Sequence, residues 1–443
     1  MFTKKDLKEF QSEPLDRKEQ RSLAKASEWF AYWNAEVYVS FSGGKDSSVL
    51  ADICGYWCSI TKKTLYLAFA DTGLEYPEIK KHVKHFAEYL RRKYHIEVVL
   101  DILRPKMRFD EVIKEYGYPI ISKEISLTIE YARKGSEWAL YKLQGKNADG
   151  TDSKRKAANK KYAALVDMDA NFSNKCCWVM KKVPFRNYER QTGRKAIIAT
   201  LAEESSLREN AWLKNGCNAF NAKRAASQPM SFWTEQDVLQ YIKREQDRYD
   251  REYKRKIEAM KDPSCRGGAR RRIRKWLLSE YEFSTRFPLA SVYGNIEYAE
   301  APDQMRIEDF GIANCGAEKL KTTGCDRTGC VFCAFGCHLE KLPSRFERLK
   351  ETHPRQYEYC IGGGEYVWTG RVSTSGGDWR DVPWINDDGT QMTAVEIERF
   401  VEQNKDNESY DFRKIWKPNK QGLGLGHVFD ELNKIYGEDF IRY

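Results

Sequence analysis

The stretch YVSFSGGKDSSVL, residues 38–50, places two glycines, a lysine and an acid in one short turn. A β-rich run precedes the turn and a helical pattern follows it, so we expect a strand to end near Phe41 and a helix to begin near Lys45. Gly43 and Gly44 permit a tight turn that exposes backbone amides without side-chain clash. Because such amides and a helix N-terminus attract anions, the turn predicts a phosphate site.

The side chains of the turn favour a ligand with several phosphates. Lys45 supplies a positive charge, and the hydroxyls of Ser40, Ser42 and Ser47 add hydrogen-bond donors. Asp46 cannot bind a bare anion, so its presence indicates Mg²⁺ between the acid and the phosphates. The GxxxxGK[ST] motif does not fit because position 39 is not glycine, and GxGxxG is absent. We therefore expect a phosphate loop of another kind.

The flanking pattern predicts an α/β fold, with a Rossmann-like parallel sheet and helices on both faces. Three buried strands, VYVSF, TLYLAFA and IEVVLDI, alternate with helical segments, and this order requires helical crossovers between parallel strands. Ligands bind such sheets at the carboxyl ends of the strands. The SGGKDS turn and the DTGLE segment after the second strand both belong to that edge.

The sequence pattern divides the whole chain into three predicted segments. Residues 1–35 form an N-terminal helical segment with a break at Pro14, and residues 36–300 form the nucleotide-binding domain. That domain carries a polar, basic insertion or mobile loop at about 131–170. Residues 301–443 form a small Cys-rich, α-rich C-terminal region that completes a metal site.

Composition and charge limit the location and the kinds of partner that we expect for this protein. Of the 443 residues, 41% are hydrophobic and 32% are charged, which supports a packed core and argues against global disorder. No run is long and apolar enough for a membrane span, and MFTKKDLKEF has no apolar core, so we expect a cytoplasmic protein without a membrane partner. The formal net charge is +10, and basic runs at 154–161 and 265–276 predict contact with nucleic acid, although either run also fits a solvated face. We also predict a homo-oligomer.

Four segments between residues 37 and 245 carry a family resemblance. SFSGGKDSSVL resembles the pyrophosphate-binding PP-loop of the ATP pyrophosphatases, and FADTGLEYPE resembles a segment of the phosphoadenosine phosphosulfate (PAPS) reductase family in that superfamily. AEESSLRENAW and QPMSFWTEQDVLQYI resemble two later segments of the same family. The resemblance implies an adenine nucleotide alpha hydrolase-like fold that cleaves or exchanges the α–β bond of ATP.

The same resemblance assigns roles to residues outside the turn. It implies that Asp71 and Gly73 border the adenosine, and that Glu204 and Arg208 face the anion. The implied catalytic residues are Lys45, Asp46 and Arg208.

Two groups among the twelve cysteines indicate a metal. NKCCWVMKKVPF pairs Cys176 with Cys177, and TTGCDRTGCVFC carries Cys325, Cys330 and Cys333. A Cys-x-x-Cys turn places two thiolates at one metal, and a distant pair completes a four-sulfur site. The residues leave open which four of the five bind, and whether the metal is an iron–sulfur cluster or zinc.

A second resemblance bears on the metal. CCWVMKKVPF resembles the Cys-Cys segment of the adenylylsulfate reductases, which bind [4Fe–4S] through a Cys-Cys and Cys-x-x-Cys ligand set. The resemblance implies a [4Fe–4S] cluster, with Zn²⁺ as the alternative.

Two departures from the sulfonucleotide reductases favour ATP as the substrate. Those enzymes carry a degenerate loop at the SGGKDS position, whereas this chain keeps Lys45 and Asp46. They also use a cysteine in a C-terminal Cys-Gly-(Leu/Ile)-His segment, and this chain ends in GEDFIRY. The combination is similar to the DNA-phosphorothioation type of sulfurtransferase. We therefore expect the enzyme to adenylate an acceptor, which nucleic acid would supply, and to support sulfur transfer with the cluster.

Other functions stay open at this point. A PAPS or adenylylsulfate reductase would release sulfite and use Cys360 or another nucleophile. An adenylyltransferase similar to ATP sulfurylase would need no cluster, and a nucleotide-binding, redox-sensing module would not turn over. A sulfur donor protein or a thiol reductant is the further partner that these reactions require.

Overall fold

The computed structural model describes residues 2–299, 319–325, 328–374 and 378–443. Within these ranges the α-helices are Lys4–Ser12 (α1), Leu15–Tyr32 (α2), Lys45–Thr61 (α3), Pro77–Tyr94 (α4), Phe109–Tyr116 (α5), Lys123–Arg133 (α6), Glu137–Leu143 (α7), Lys175–Cys177 (α8), Val183–Thr192 (α9), Ser206–Asn215 (α10), Glu235–Lys261 (α11), Gly267–Glu282 (α12), Ala290–Tyr293 (α13), Arg345–Thr352 (α14), Pro354–Ile361 (α15), Ala394–Asn404 (α16) and Leu425–Tyr436 (α17). The strands are Val37–Ser40 (β1), Leu65–Ala70 (β2), Val98–Leu103 (β3), Ile120–Ile121 (β4), Lys195–Ile197 (β5), Asn218–Ala219 (β6), Ala226–Ser227 (β7), Ile296–Tyr298 (β8), Leu320–Thr322 (β9), Ala334–Phe335 (β10), Glu365–Ser373 (β11), Trp379–Asp381 (β12) and Tyr410–Lys417 (β13).

A six-stranded sheet has the strand order β3-β2-β1-β5-β7-β6. Its neighbours pair in parallel except for β6, which runs antiparallel to β7. Val39 pairs with Leu67 on one side and with Ile197 on the other, so β1 lies inside the sheet. Helices flank the sheet, and the predicted Rossmann-like α/β fold is confirmed.

The core around β1 follows from its sequence. Val37 and Val39 are buried, as strands covered on both faces require, and α3 after the turn buries a run from Val49 to Cys54. Helix α4 begins with Pro77 in its first turn and buries one apolar stripe that includes Phe86. This packing fixes the turn between β1 and α3 at the carboxyl edge of the sheet.

The two predicted N-terminal helices are present, and Pro14 separates them. The side chain of Thr3 caps α1, and α2 buries Trp29 and Phe30. Phe30 stacks on Trp57 of α3 with a centroid distance of 4.1 Å. Aromatic packing therefore attaches α2 to the helix that follows the glycine turn.

The chain divides into two compact units, each built from two stretches of sequence. The first unit comprises residues 1–104 and 183–330, and the second comprises residues 105–182 and 331–443. Reading the chain from end to end did not predict this interleaving. The sequence boundaries after residues 35 and 300 stay a prediction.

The second unit holds structure that the sequence pattern left unassigned. Strands β12, β11 and β13 form an antiparallel sheet in that order. The polar segment at 131–170, expected as an insertion or mobile loop, contains α7 and a 3₁₀ helix at Ala157–Val166. The glycine-rich segment before residue 425 precedes an amphipathic helix, α17. No helix in the described part of the chain has the length and apolarity of a membrane span.

Candidate nucleotide site and cysteine cluster

The glycine turn adopts the geometry that its sequence predicts. Gly43 has a φ of +73°, in the left-handed region that favours glycine, and Gly44 caps the N-terminus of α3. The Ser42 hydroxyl accepts a hydrogen bond from the Gly44 amide at 3.3 Å. The Ser47 hydroxyl donates to the Gly44 carbonyl at 2.9 Å. Two of the predicted serines therefore hold the turn in shape.

Lys45 is the cation of this turn. Its side chain is 5% exposed, and its Nζ lies 2.9 Å from Oε1 of Glu235 at the start of α11. Burial opposes the charge, but Asp46 and Glu235 outweigh it and raise the pKa of Lys45 above its ordinary value. Lys45 is therefore charged at neutral pH.

A tyrosine covers the first amide of α3. The backbone N–H of Lys45 donates to the Tyr293 hydroxyl at 3.2 Å, and that hydroxyl lies 2.9 Å from Oγ1 of Thr328. A Cβ added to Gly44 would lie 3.4 Å from both of those oxygen atoms. A ligand at the helix N-terminus would meet these hydroxyls and has to displace them or share the amide with them.

A small pocket of about 120 Å³ opens beside the turn. Its lining includes five residues predicted from the sequence and five that were not: Ser42, Gly44, Lys45, Asp46 and Glu204, and then Leu201, Glu203, Glu235, Tyr293 and Thr328. The volume suits a phosphate group rather than a whole nucleotide, since sites for larger ligands span roughly 300–1,000 Å³. Four carboxylates and a single lysine line it, so a bare polyphosphate would be repelled and a divalent cation would be needed with it.

Asp71 and Gly73 lie at the carboxyl end of β2, outside the lining of that pocket. The Asp71 carboxylate accepts from Lys80 Nζ at 2.6 Å and from the Gly73 amide at 3.3 Å. Burial opposes ionisation, but Lys80 and Gly73 prevail and lower the pKa of Asp71. Gly73 has a φ of +79° with no atom within 4 Å of an added Cβ. Open space at this position fits a residue that borders a ligand.

Glu204 and Arg208 form an ion pair across one turn of chain. The Arg208 side chain is 41% exposed, and Glu204 also accepts from the Leu201 amide at 3.1 Å. Neither Arg208 nor Ser40 lines the pocket. Their predicted roles stay predictions.

The sequence pattern could have indicated some of the additional pocket residues but not others. Glu203 adjoins the predicted Glu204, and Glu235 lies in the QPMSFWTEQDVLQYI segment that carries the family resemblance. Tyr293 and Thr328 are far from the turn along the chain, and nothing in their sequence context distinguishes them. Only the tertiary fold brings them to Gly44.

In the second unit, strand pairing brings two of the five predicted cysteine ligands together. Tyr118 pairs with Phe172, three residues before α8, and β4 pairs in parallel with β10, which begins one residue after Cys333. The segment at 118–121 thus lies between the two cysteine segments. Burial and, to a smaller extent, the charge of Cys177 raise the pKa of Cys333, which fits two thiols that lie near each other.

The two thiols have opposite tendencies to ionise. A hydrogen bond from Cys176 and the charges of Lys123 and Lys181 outweigh burial and lower the pKa of Cys177 to about 6. Burial raises the pKa of Cys333. Cys337, which we did not assign as a ligand, donates its thiol to the Ala334 carbonyl at 3.1 Å.

The remaining two predicted ligands, Cys325 and Cys330, belong to the first unit. Among the described residues, no three His, Cys, Asp or Glu side chains are grouped closely enough to hold a metal ion. The structure therefore places Cys177 near Cys333 but does not define a complete ligand set.

The sheet order and the strand–turn–helix site define a Rossmann-like α/β protein with a candidate anion loop. Residues 122–334 match the family model for the phosphoadenosine phosphosulfate reductase domain. This match covers a little under half of the chain and identifies a domain of the PAPS reductase / adenine nucleotide alpha hydrolase-like superfamily within it. The matched range contains the later family segments and all five predicted cysteine ligands, and it begins after the SGGKDS turn. No curated protein matches the chain.

Proposed function

We propose that the chain binds ATP with Mg²⁺ at the SGGKDS turn, cleaves the α–β bond to adenylate an acceptor, and supports sulfur transfer with a [4Fe–4S] cluster. The observation that carries the proposal is Lys45, a buried and charged lysine at the N-terminus of α3, on the wall of a phosphate-sized pocket. The superfamily match supports adenine-nucleotide chemistry. Reduced thiols persist in the cytoplasm, which is the proposed location.

The first half-reaction needs positive charge where pyrophosphate leaves. An acceptor oxygen attacks the α-phosphorus, the bond to the bridging oxygen breaks, and pyrophosphate departs. Lys45 and the amides at Gly43 and Gly44 are placed to stabilise the charge that develops on it. Because Glu235 holds Lys45 in this structure, the nucleotide has to replace that carboxylate.

Magnesium fits the chemistry of the pocket. Asp46, Glu203 and Glu235 offer the oxygen ligands that this ion prefers. Its charge would offset the carboxylates that otherwise repel a polyphosphate.

The cluster fits the thiols only in part. Cys177 and Cys333 are the pair that would hold it, and Cys176, Cys325 and Cys330 stay the other proposed ligands. When bound, the cluster would bind sulfur or supply electrons for the second half-reaction. Zn²⁺ remains the alternative metal for the same thiols.

The nucleic-acid acceptor is proposed from the basic runs at 154–161 and 265–276. In the described structure, Lys154, Arg155 and Lys160 of the first run are exposed. The sulfur donor or thiol reductant and the homo-oligomer also stay proposals.

A sulfonucleotide reductase is the main rival, and one observation weighs against its simplest form. Cys360, the last cysteine, is fully buried in the second unit, and burial raises the pKa of its thiol. A protonated thiol without access to a substrate is a poor nucleophile.

Substitution of Lys45 tests the first half-reaction. We expect Lys45→Gln to lower pyrophosphate release from ATP by roughly 100-fold or more, as loss of a charge-stabilising donor does, while Lys63→Gln, an exposed lysine just after α3, leaves it unchanged. Anaerobically purified protein is assayed for pyrophosphate with ATP and for sulfite with adenylylsulfate. Sulfite without any need for ATP would overturn the proposal in favour of the reductase. Tight ATP binding with no product would favour the sensing module.

A further inference from the structure

The outer surface of α12 carries a cluster of cations. Five of six consecutive positions are basic, and all five side chains are exposed: Arg270, Arg271, Arg272, Arg274 and Lys275. Among the described residues, no carboxylate forms an ion pair with any of them. On the neighbouring helix α11, by contrast, Lys256 pairs with Glu252 at 2.6 Å. A basic helix packed only for stability would be expected to pair some of its charges in the same way.

The same surface exposes an aromatic ring and an aliphatic side chain. Tyr281 is 88% exposed and Leu278 is 54% exposed. At about 100° per residue, Arg270, Arg271 and Arg274 fall with these two on one arc of the helix about 100° wide. Three guanidinium groups therefore lie on the N-terminal half of this face, and a branched side chain and a ring lie on its C-terminal half.

The opposite face of α12 explains how the helix is held. Trp276 lies 3.6 Å from the Nζ of Lys256, measured to the ring centroid, and 5.9 Å from the Tyr253 ring on α11. Glu280 is buried and accepts hydrogen bonds from Tyr249 and Thr285. Since the inner face already has its partners, the outer face is not needed for folding.

We propose that the face formed by Arg270, Arg271, Arg274, Leu278 and Tyr281, here called the α12 outer face, binds a single-stranded nucleic acid. Guanidinium groups neutralise successive phosphates, and the exposed ring stacks on an unpaired base. The inference rests on the proposed function, because the single strand bound here would be the acceptor of the proposed reaction.

Charge and shape favour this partner over two others. A duplex keeps its bases stacked, so it offers no open base face to Tyr281. An anionic membrane binds helices that have a continuous apolar face opposite their basic one, whereas Leu278 and Tyr281 lie on the same face as the arginines. Binding to either of these partners is an outcome of the experiment.

The experiment measures binding of the full chain to a labelled single-stranded oligonucleotide of mixed sequence at several salt concentrations. We expect Arg270→Gln/Arg271→Gln/Arg274→Gln to weaken binding and to reduce the slope of log K against log salt by roughly 2, because each single-strand phosphate contact contributes about 0.7. We expect Tyr281→Ala to weaken binding by roughly 5- to 100-fold, as loss of one stacked base does, with little change in that slope.

Matched controls separate this face from general charge and folding. Lys5→Gln/Lys8→Gln/Lys84→Gln removes three other exposed cations of the same unit, and Tyr32→Ala removes another exposed tyrosine. These controls should bind as the unmodified protein does, and thermal unfolding confirms that each variant is folded. An equal loss of oligonucleotide affinity in the control variants would overturn the inference. So would tighter binding to duplex that is unchanged in Tyr281→Ala, or binding only to phosphatidylserine vesicles. The binding measurement needs no ATP, so the two proposals can fail separately. Pyrophosphate release without nucleic-acid binding would mean that this inference fails, and nucleic-acid binding without pyrophosphate release would mean that the proposed function fails.

Discussion

At Gly43 the loop depends on a single missing Cβ. An added Cβ would lie 2.8 Å from Cγ2 of Val83 and 3.1 Å from Cγ2 of Ile79, and the φ is +73°. We expect Gly43→Ala to lower the free energy of unfolding by about 1–2 kcal/mol for the left-handed backbone, with roughly 1–3 kcal/mol more for overpacking against α4. Gly73→Ala is the control, because Gly73 has a similar φ and open space around it. Equal losses for the two variants in urea unfolding would contradict the packing argument.

His82 makes the stability of the first unit depend on pH. It is 2% exposed, and neither ring nitrogen has a hydrogen-bond partner among the described residues. Burial, with a smaller effect of His85, lowers its pKa to about 4 from an ordinary 6.5. Between these values the unfolded chain binds more protons, so the stability contribution is complete above pH 6.5 and is lost as pH falls towards 4.

The variant His82→Leu tests this dependence. We expect the variant to lose roughly 3 kcal/mol less unfolding free energy between pH 6.5 and pH 4 than the unmodified protein does, since each pKa unit corresponds to about 1.4 kcal/mol. His95→Asn replaces the exposed histidine that ends the same helix and tolerates its left-handed backbone. Unfolding by urea at pH 7, 5.5 and 4.5 measures the difference, and an unchanged pH profile for His82→Leu would show that the imidazole is not buried as described.

At the scale of elements, the start of α11 joins the N-terminal helices to the nucleotide site. Asp237 completes a capping box with Thr234 and accepts from Lys18 of α2 at 2.6 Å, with both partners of the ion pair buried. Glu235, two residues before, holds Lys45. The position of α2 therefore bears on the site through one helix terminus.

Breaking the buried pair should cost far more than breaking an exposed one. We expect Lys18→Met to destabilise the protein by about 3–5 kcal/mol, because it leaves the Asp237 carboxylate buried without its cation. Lys25→Met removes an exposed pair with Glu28 on the same helix, and we expect a loss of about 0–1 kcal/mol. Thermal and urea unfolding compare the two variants, and similar losses would mean that the Lys18 pair is solvated.

At the scale of the whole molecule, the two proposed half-reactions lie in different units. The pocket beside Lys45 lies in the first unit, and the Cys177–Cys333 pair lies in the second. We expect iron chelation under anaerobic conditions to abolish sulfur transfer and visible thiolate-to-iron absorbance, while ATP affinity stays within about threefold, a change of less than 1 kcal/mol. Cys333→Ser should act like the chelator, and Cys265→Ser is the matched control. A parallel loss of ATP binding would show that the cluster shapes the nucleotide site.

The elements that the sequence predicted correctly depend on interactions between residues that are close together along the chain. Strands β1, β2 and β3 and the helices between them were predicted, because periodicity depends on residues a few positions apart. The short strands β4 and β10 and the antiparallel sheet of β11–β13 were not predicted. They are two to nine residues long, and their pairing partners are distant in sequence.

The sequence by itself determined the glycine turn, the charge of Lys45 and the cysteine pairs, since each is a property of neighbouring residues. Only the tertiary structure decided that Tyr293 and Thr328 cover the first amide of α3, and that Glu235 holds Lys45. It also decided that Cys177 lies near Cys333 while Cys330 falls in the other unit. These contacts join residues from about 150 to 280 positions apart, and the packing of whole elements, rather than any local pattern, brings such residues together.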